Sequence, residues 1–400
     1  MLDVAILGLG TVGSGVLEVI EKNADAISQS AAQEIRVKYI LARRDYPGAP
    51  FERLVTKDFS VIENDPDVRV VIETIGGIGA AYEYTKRSLM KGKSVVTANK
   101  ELVATHGYEL TQLARANDVN YLFEASVGGG IPIIRPLSQC LAANKIKEIY
   151  GILNGTTNFI LTEMIRNGLS FETALKRAQE QGYAEANPDA DVKGYDVCRK
   201  ICILSALSFG RHVYPHQVKT EGIESVTLAD IGYAEQLGCR IKLLGRAIHR
   251  EEDGKISAYV APHLVHENNL IASVEGVMNG IIVRGNAIGD VMFYGAGAGK
   301  LPTASAVVAD VIDAAKHITA RKWLSWEDGS DDIIYDSALL ESAWYVRAAV
   351  PKEGIAKRFG DVRTIEGAGE IVFVTPVMNK FALSEKLDGM DIKAAFRILK

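Results

Sequence analysis

The chain opens on LDVAILGLGTVG, a short β-rich apolar run that ends in three spaced glycines, Gly8, Gly10 and Gly13. Directly after them, TVGSGVLEVIEK has helical spacing. A strand that turns through G-x-G-x-x-G into a helix constrains the fold more than any other feature here. The glycines permit a tight turn and a close backbone approach to a pyrophosphate, and the helix N-terminus then faces that anion with free N–H groups. Thr11 and Val12, between the glycines, are cofactor-contact candidates with them. The six-residue match alone is weak, and a tight turn without a ligand is the competing reading. Its place between a strand and a helix is the context the motif requires.

The pattern that follows supports the same architecture. IRVKYILA, VRVVIETIGG, SVVTANK and VNYLFEA read as strands, with helices such as AAYEYTKRSLMKG and YELTQLARAN between them. Strands alternating with helices predict a parallel, doubly wound Rossmann sheet over residues 1–130. The helix at 301–320, with Pro302 in its first turn, is expected to complete it. The second strand ends LARRD. An acidic residue there favours NAD through the ribose 2′-OH, whereas Arg43 and Arg44 suit a 2′-phosphate. NADP is therefore the expected cofactor, with Asp45 keeping NAD open; two exposed surface arginines are the bland alternative.

SVGGGIPIIRPL, from residue 126, is Gly/Pro punctuation and marks a boundary. Residues 131–300 read as a mixed α+β domain: helices at 156–167 and 171–181, a long apolar helix through VCRKICILSALSFG, and strands RIKLLGRAIHR, ISAYVAPHLV and NAIGDVMFYGAG. SWEDGSDD (325–332) reads as a linker. Residues 335–400 then follow a β-α-β-β-α-β order, predicting a short ferredoxin-like domain.

Bulk properties narrow the function. A net charge of −5 argues against nucleic acid or an anionic membrane as partner. No apolar run is long enough for a membrane span, and the N-terminus lacks the basic and apolar regions of a secretory signal. The four cysteines lack C-x-x-C spacing and read as buried reduced thiols of a cytoplasmic protein. The scattered histidines give no case for a transition metal.

GYAEANPDADVKGYDVCRK (182–200) holds four carboxylates and two lysines and runs into a predicted helix. Asp196 and Lys200 stand four apart and share a helix face. Alone, the pair reads as an ordinary ion pair. The helix is otherwise apolar, however, and TANKE places Lys100 just beyond a sheet strand, where open α/β folds bind ligands.

Together with VIETIGG, VVTANKELVA, EASVGGGIPII, NGTTNFIL, GCRIKLLG and GAGAGKLPTASAV, these motifs resemble the homoserine dehydrogenase family over residues 1 to about 320. The resemblance implies reversible NAD(P)-dependent interconversion of L-homoserine and L-aspartate 4-semialdehyde. It implies Lys200 as general acid/base, Asp196 as its helix partner, and Lys100 at the junction of cofactor and substrate. Glu185 is implied to hold the substrate ammonium, with Asp191, Gly182 and Thr156 also at the substrate. Gly299 is implied to approach the cofactor. Carbonyl oxygens of Glu124, Val127, Gly129 and Ile131 are implied to bind a monovalent cation, sodium in most relatives; a glycine hinge is the other reading of that loop. The family also implies a homodimer formed through the substrate domain.

The chemistry suits these residue types. Reduction creates an alkoxide that a cationic lysine can stabilise and protonate, and oxidation needs the neutral amine as base. An amine of ordinary basicity is a poor base near neutrality, so a lowered pKa or an alkaline optimum is expected. Asn187 and Lys193 depart from the family pattern and put substrate affinity in question. The C-terminal stretch resembles an abbreviated ACT domain, and no aspartate kinase is expected upstream. Two alternatives compete. An aspartate-semialdehyde dehydrogenase would need a nucleophilic thiolate, and Cys140 has no evident activating histidine. A cofactor-binding sensor without catalysis would not need Lys200, Asp196 and Lys100.

Overall fold

The structure, a computed structural model, describes residues 1–320, 324–367 and 369–399. The chain divides into two compact units. The first comprises Met1–Lys145, Cys202–Pro215 and Gly295–Gly329, and the second comprises Ile146–Ile201, His216–Tyr294 and Ser330–Lys400.

The first unit is the expected Rossmann fold. Strands β1 (Leu2–Leu7), β2 (Ile35–Leu41), β3 (Val55–Thr56), β4 (Val68–Glu73), β5 (Ser94–Thr97) and β6 (Tyr121–Leu122) form a sheet in the order β3-β2-β1-β4-β5-β6. Every pairing is parallel. All six residues of β1 are buried, because a central parallel strand is covered on both faces. One core joins Val4, Ile6, Ile40 and Ile72 to Val16 of helix Thr11–Lys22 and Val307 and Val311 of helix Lys300–Lys316. Gly15 allows that helix pair its close approach: a Cβ there would lie 2.8 Å from the Lys300 carbonyl oxygen. The final helix of the unit is thus present, starting one residue earlier and ending four residues earlier than expected.

The segment read as a linker begins as anchored structure. Trp326 is buried, and its indole N–H donates to His212 Nδ1 at 2.9 Å. His212 Nε2 lies 3.0 Å from the Ala104 carbonyl oxygen, which it can meet as a donor while Nδ1 accepts. Burial lowers the pKa of that ring.

The second unit holds a ten-stranded mixed sheet. Its strands are β7 (Ile146–Ile152), β8 (Lys219–Thr220), β9 (Cys239–His249), β10 (Ile256–His266), β11 (Met278–Gly285), β12 (Gly289–Ala296), β13 (Trp344–Ala348), β14 (Thr364–Gly367), β15 (Glu370–Val374) and β16 (Ile392–Leu399). The order is β12-β11-β7-β9-β10-β16-β13-β15-β14, with β8 beside β10. The C-terminal strands β13 to β16 and helices Lys352–Phe359 and Lys380–Leu387 have the ferredoxin-like arrangement β16-β13-β15-β14. They surround their own core of Trp344, Val346, Ile355, Phe359, Phe373 and Leu383. β16 also pairs in parallel with β10, from His263–Arg397 to Val265–Leu399, so the C-terminal strands continue the central sheet.

Cys198, Cys202 and Cys239 are buried, as expected, but Cys140 is exposed. It lies at the end of the single π-helical turn Pro136–Cys140, where only Leu137 is buried, so nothing draws the thiol inward. Among the described residues no helix is long and apolar enough to cross a membrane.

Candidate active site

In the second unit, Asp196 and Lys200 lie on helix Tyr195–Phe209, and both are buried. The Lys200 ammonium donates to Asp196 Oδ2 and to the Leu153 carbonyl oxygen, each at 2.6 Å. A surface ion pair keeps its charges in water; this pair does not, with 2% and 7% of the two residues exposed. Burying such a pair costs more than it returns unless further hydrogen bonds hold it.

Asn154 supplies those bonds. Its Oδ1 caps helix Gly155–Asn167 by accepting from Thr157 N at 2.8 Å. Its Nδ2 donates to Asp196 Oδ2 at 2.9 Å and to Asp191 Oδ1 at 2.7 Å. One amide therefore joins the helix cap, the ion pair and the preceding acidic turn. The Thr156 hydroxyl donates to the Tyr183 carbonyl at 2.6 Å, which ties the 182–194 loop to the same helix start. Asp191, Asp196, Lys200 and Thr156 are thus gathered around the first turn of that helix. The side chains of Asn154 and Thr156 brace the site. An asparagine just before a helix start was the available signal.

Glu185 stands apart from this network. Its side chain is exposed, and its carbonyl oxygen accepts from Gln179 at 3.1 Å. Gly182 takes a positive φ of 74° at the start of the loop. The two departures have local roles: Asn187 Oδ1 accepts from Asp189 N at 3.2 Å, and Lys193 pairs with Asp189 at 2.7 Å.

In the first unit, the glycine turn fits a dinucleotide. Gly8 adopts φ 93°, and a Cβ on Gly13 would fall 2.0 Å from the Gly8 carbonyl oxygen. A Cβ on Gly10 would meet nothing within 4 Å, so the space before the N-terminus of helix Thr11–Lys22 is open. Thr11 is exposed there and Val12 is half-buried. Thr74 Oγ1 reaches the Leu7 and Gly8 carbonyls at 3.0 and 2.8 Å and fastens the turn to the end of β4. Beside it, the buried Glu73 accepts from Thr97 Oγ1 at 2.5 Å and Ile75 N at 2.7 Å; burial raises its pKa.

Past β2, Arg44 donates to the Tyr46 hydroxyl at 3.0 Å and lies over its ring. Arg43 is exposed, and Asp45 is engaged by Lys57 at 2.7 Å. Lys100 begins helix Lys100–Ala116, whose start is capped by Asn99 Oδ1 accepting from Leu102 N. Gly299 caps helix Lys300–Lys316 with φ 127°.

The EASVGGGI loop is also in the first unit. The buried Glu124 carboxylate accepts from the main-chain N–H groups of Ile133, Ile134 and Arg135 at 2.7–2.8 Å. Its own N–H donates to Asp310 at 2.7 Å. Gly129 (φ 54°) presses against Gly297, whose carbonyl oxygen would lie 2.5 Å from an added Cβ. Val127 and Ile131 are buried. Among the described residues, no hydrogen bond in the turns and loops ends on the carbonyl oxygens of Glu124, Val127, Gly129 or Ile131.

Comparison with known proteins agrees with what each unit shows. Residues 8–124 match the family model for the homoserine dehydrogenase NAD-binding domain, and residues 132–312 match that for homoserine dehydrogenase. The homoserine dehydrogenase of Pseudomonas aeruginosa is 41% identical over 398 residues, covering 97% of this chain and 90% of that protein. The crystal structure of a homoserine dehydrogenase from Thiobacillus denitrificans superposes with a TM-score of 0.91 at 37% identity, covering 100% of this chain and 98% of that one. A hyperthermophilic archaeal homoserine dehydrogenase in complex with NADPH matches at a TM-score of 0.67 and 26% identity, covering 80% and 99% of the two chains. With its Rossmann unit, its buried lysine–aspartate pair and this extent of similarity, the chain belongs to the homoserine dehydrogenase family of oxidoreductases.

Proposed function

We propose that Lys200 is the proton-transfer residue of the family's interconversion of L-homoserine and L-aspartate 4-semialdehyde. The observation that carries this is the buried Lys200 ammonium held by Asp196 and the Leu153 carbonyl. Both acceptors favour a cation and fix its direction. In reduction, Lys200 stabilises the developing alkoxide and delivers the proton; in oxidation, it removes the hydroxyl proton. Asp196 orients the amine, and Asn154 restrains both carboxylates. Glu185 supplies an exposed anion for the substrate ammonium, with Asp191, Gly182 and Thr156 shaping the loop beside it. Lys100 stands on the cofactor side.

The nicotinamide cofactor accepts or donates the hydride. Gly8, Gly10, Thr11, Val12 and Gly13 receive its pyrophosphate, and Gly299 lies against it. NADP is preferred: Asp45, the residue suited to a free ribose hydroxyl, is already paired with Lys57, whereas Arg44 is propped on Tyr46. The archaeal relative bound to NADPH is consistent with this. The carbonyls of Glu124, Val127, Gly129 and Ile131 hold a monovalent cation such as sodium, because a hard cation seeks oxygen ligands and the glycines let carbonyls converge. The protein works as a cytoplasmic homodimer, with 1–130 plus 301–320 for cofactor, 131–300 for substrate and pairing, and 335–400 as an ACT-like appendage.

The test is a Lys200→Ala variant assayed by reduced-nicotinamide absorbance with L-homoserine and NADP or NAD at about pH 9. Turnover should be lost while NADPH binding is kept. Undiminished turnover would remove Lys200 from proton transfer, and a faster rate with NAD would overturn the cofactor preference.

A further inference from the structure

The second unit contains a cavity of about 260 Å³ remote in sequence from the catalytic motifs. It opens where β10 and β16 meet helix Lys380–Leu387. Three cations, Lys219, Lys380 and Arg397, and one carboxylate, Glu221, line it. Two of the cations are already neutralised: Lys219 pairs with Asp336 at 2.6 Å and Lys380 with Glu221 at 2.5 Å.

Arg397 is not. It is 6% exposed, and among the described residues its guanidinium donates only to the carbonyls of Leu340 and Ser337, at 3.2 and 2.7 Å. Among the described residues no carboxylate lies within ion-pair distance of it. Its plane is instead stacked on Trp344 at 4.4 Å and near Tyr259 at 5.2 Å. Burial pushes its pKa down, although a guanidinium stays charged in proteins. A buried charge without a direct ion pair is expensive, Glu221 and Asp336 act on it only from a distance, and two carbonyls use two of its five N–H donors. The remaining donors form the planar fork that suits a carboxylate.

The other walls say what the anion carries. Phe381, Phe396, Pro262 and the rings of Trp344 and Tyr259 are apolar surface facing the same space. One uncompensated positive charge suits a monoanion, and a volume below the usual ~300–1,000 Å³ of ligand pockets suits a molecule of few heavy atoms. We propose that this cavity is a second ligand site, which takes a small monocarboxylate with an apolar body and binds its carboxylate on Arg397.

The experiment is calorimetric titration of the intact protein with 3-methylbutanoate, its neutral amide 3-methylbutanamide, and inorganic phosphate. Saturable binding of the carboxylate is expected, at least about tenfold tighter than the amide or phosphate. Arg397→Met should abolish it. Ser384→Trp, which fills the exposed mouth of the cavity without touching Arg397, should abolish it too, and keeps the test intact if the arginine variant does not fold. Homoserine oxidation by the variants checks folding and is independent of the outcome. No saturable binding, equal binding of the amide, tighter binding of phosphate, or unchanged affinity in Ser384→Trp would each overturn the proposal.

Discussion

Gly13 approaches Gly8 so closely that a Cβ on Gly13 would lie 2.0 Å from the Gly8 carbonyl oxygen. The obstacle is main chain, so no rotamer change relieves it. Gly13→Ala must therefore open the turn that faces the N-terminus of helix Thr11–Lys22. NADPH affinity should fall by about 100-fold or more, with a stability loss of about 1–3 kcal/mol from overpacking. Fluorescence titration with NADPH and a thermal melt measure the two effects. Wild-type affinity in this variant would mean that the pyrophosphate binds elsewhere.

Asn154 performs two tasks that substitution can separate. Asn154→Ser keeps an oxygen for the helix cap but removes the amide that bridges Asp191 and Asp196. Melting temperature should fall modestly: serine caps about as well as asparagine, but the buried Asp196 carboxylate loses a hydrogen bond. kcat should drop by about tenfold, because a hydrogen bond between charged and polar groups is worth ~1.5 kcal/mol or more. Asn154→Ala should lose both, adding about 1 kcal/mol of instability. Equal kcat for wild type and the serine variant would show that the bridge does not position the ion pair.

Much of this arrangement was legible beforehand, for reasons tied to sequence distance. The Rossmann strands are contiguous apolar runs, and Gly8, Gly10 and Gly13 lie within one turn, so local pattern suffices. The Asp196–Lys200 pair follows from helix periodicity. The Asn154 bridge is different: it joins residues 37 and 42 positions apart, and its capping role hid its amide. Strands β3 and β8 are two residues long and carry no periodicity. β11 follows Gly276 and was not separable from β12 by local pattern. The pairing of β16 with β10, which extends the central sheet, lies in no local signal at all.

Cofactor choice is testable at Arg44. The guanidinium is held by the Tyr46 hydroxyl and ring at the end of β2, while Asp45 is occupied by Lys57. Arg44→Ala should raise KM for NADP by about tenfold and leave KM for NAD nearly unchanged, because only the former offers a phosphate to the guanidinium. Lys57→Ala should free Asp45 and improve use of NAD. Parallel changes with both cofactors would place Arg44 outside the 2′ position.

Lys242 gives a pH signature in stability. On β9 it is almost fully buried, donating to the Val274 carbonyl at 2.5 Å and to Asn158 Oδ1 at 3.2 Å, with no carboxylate at ion-pair distance among the described residues. Burial pulls its pKa from 10.5 down to about 8. Below about pH 8 the lysine is protonated in both folded and unfolded chains, and the folded state carries the full cost of the buried charge. Between about 8 and 10.5 the unfolded chain binds more protons than the folded one, so stability rises with pH across that window. The gain is at most about 3 kcal/mol. In Lys242→Met this increment disappears. Denaturant unfolding of both proteins at several values across the window isolates it, because other alkaline titrations are shared. Wild-type stability should climb relative to the variant as pH rises. A constant difference would mean that Lys242 keeps an ordinary proton affinity in the folded protein, and a falling difference would mean that its charge is stabilised rather than penalised by its surroundings.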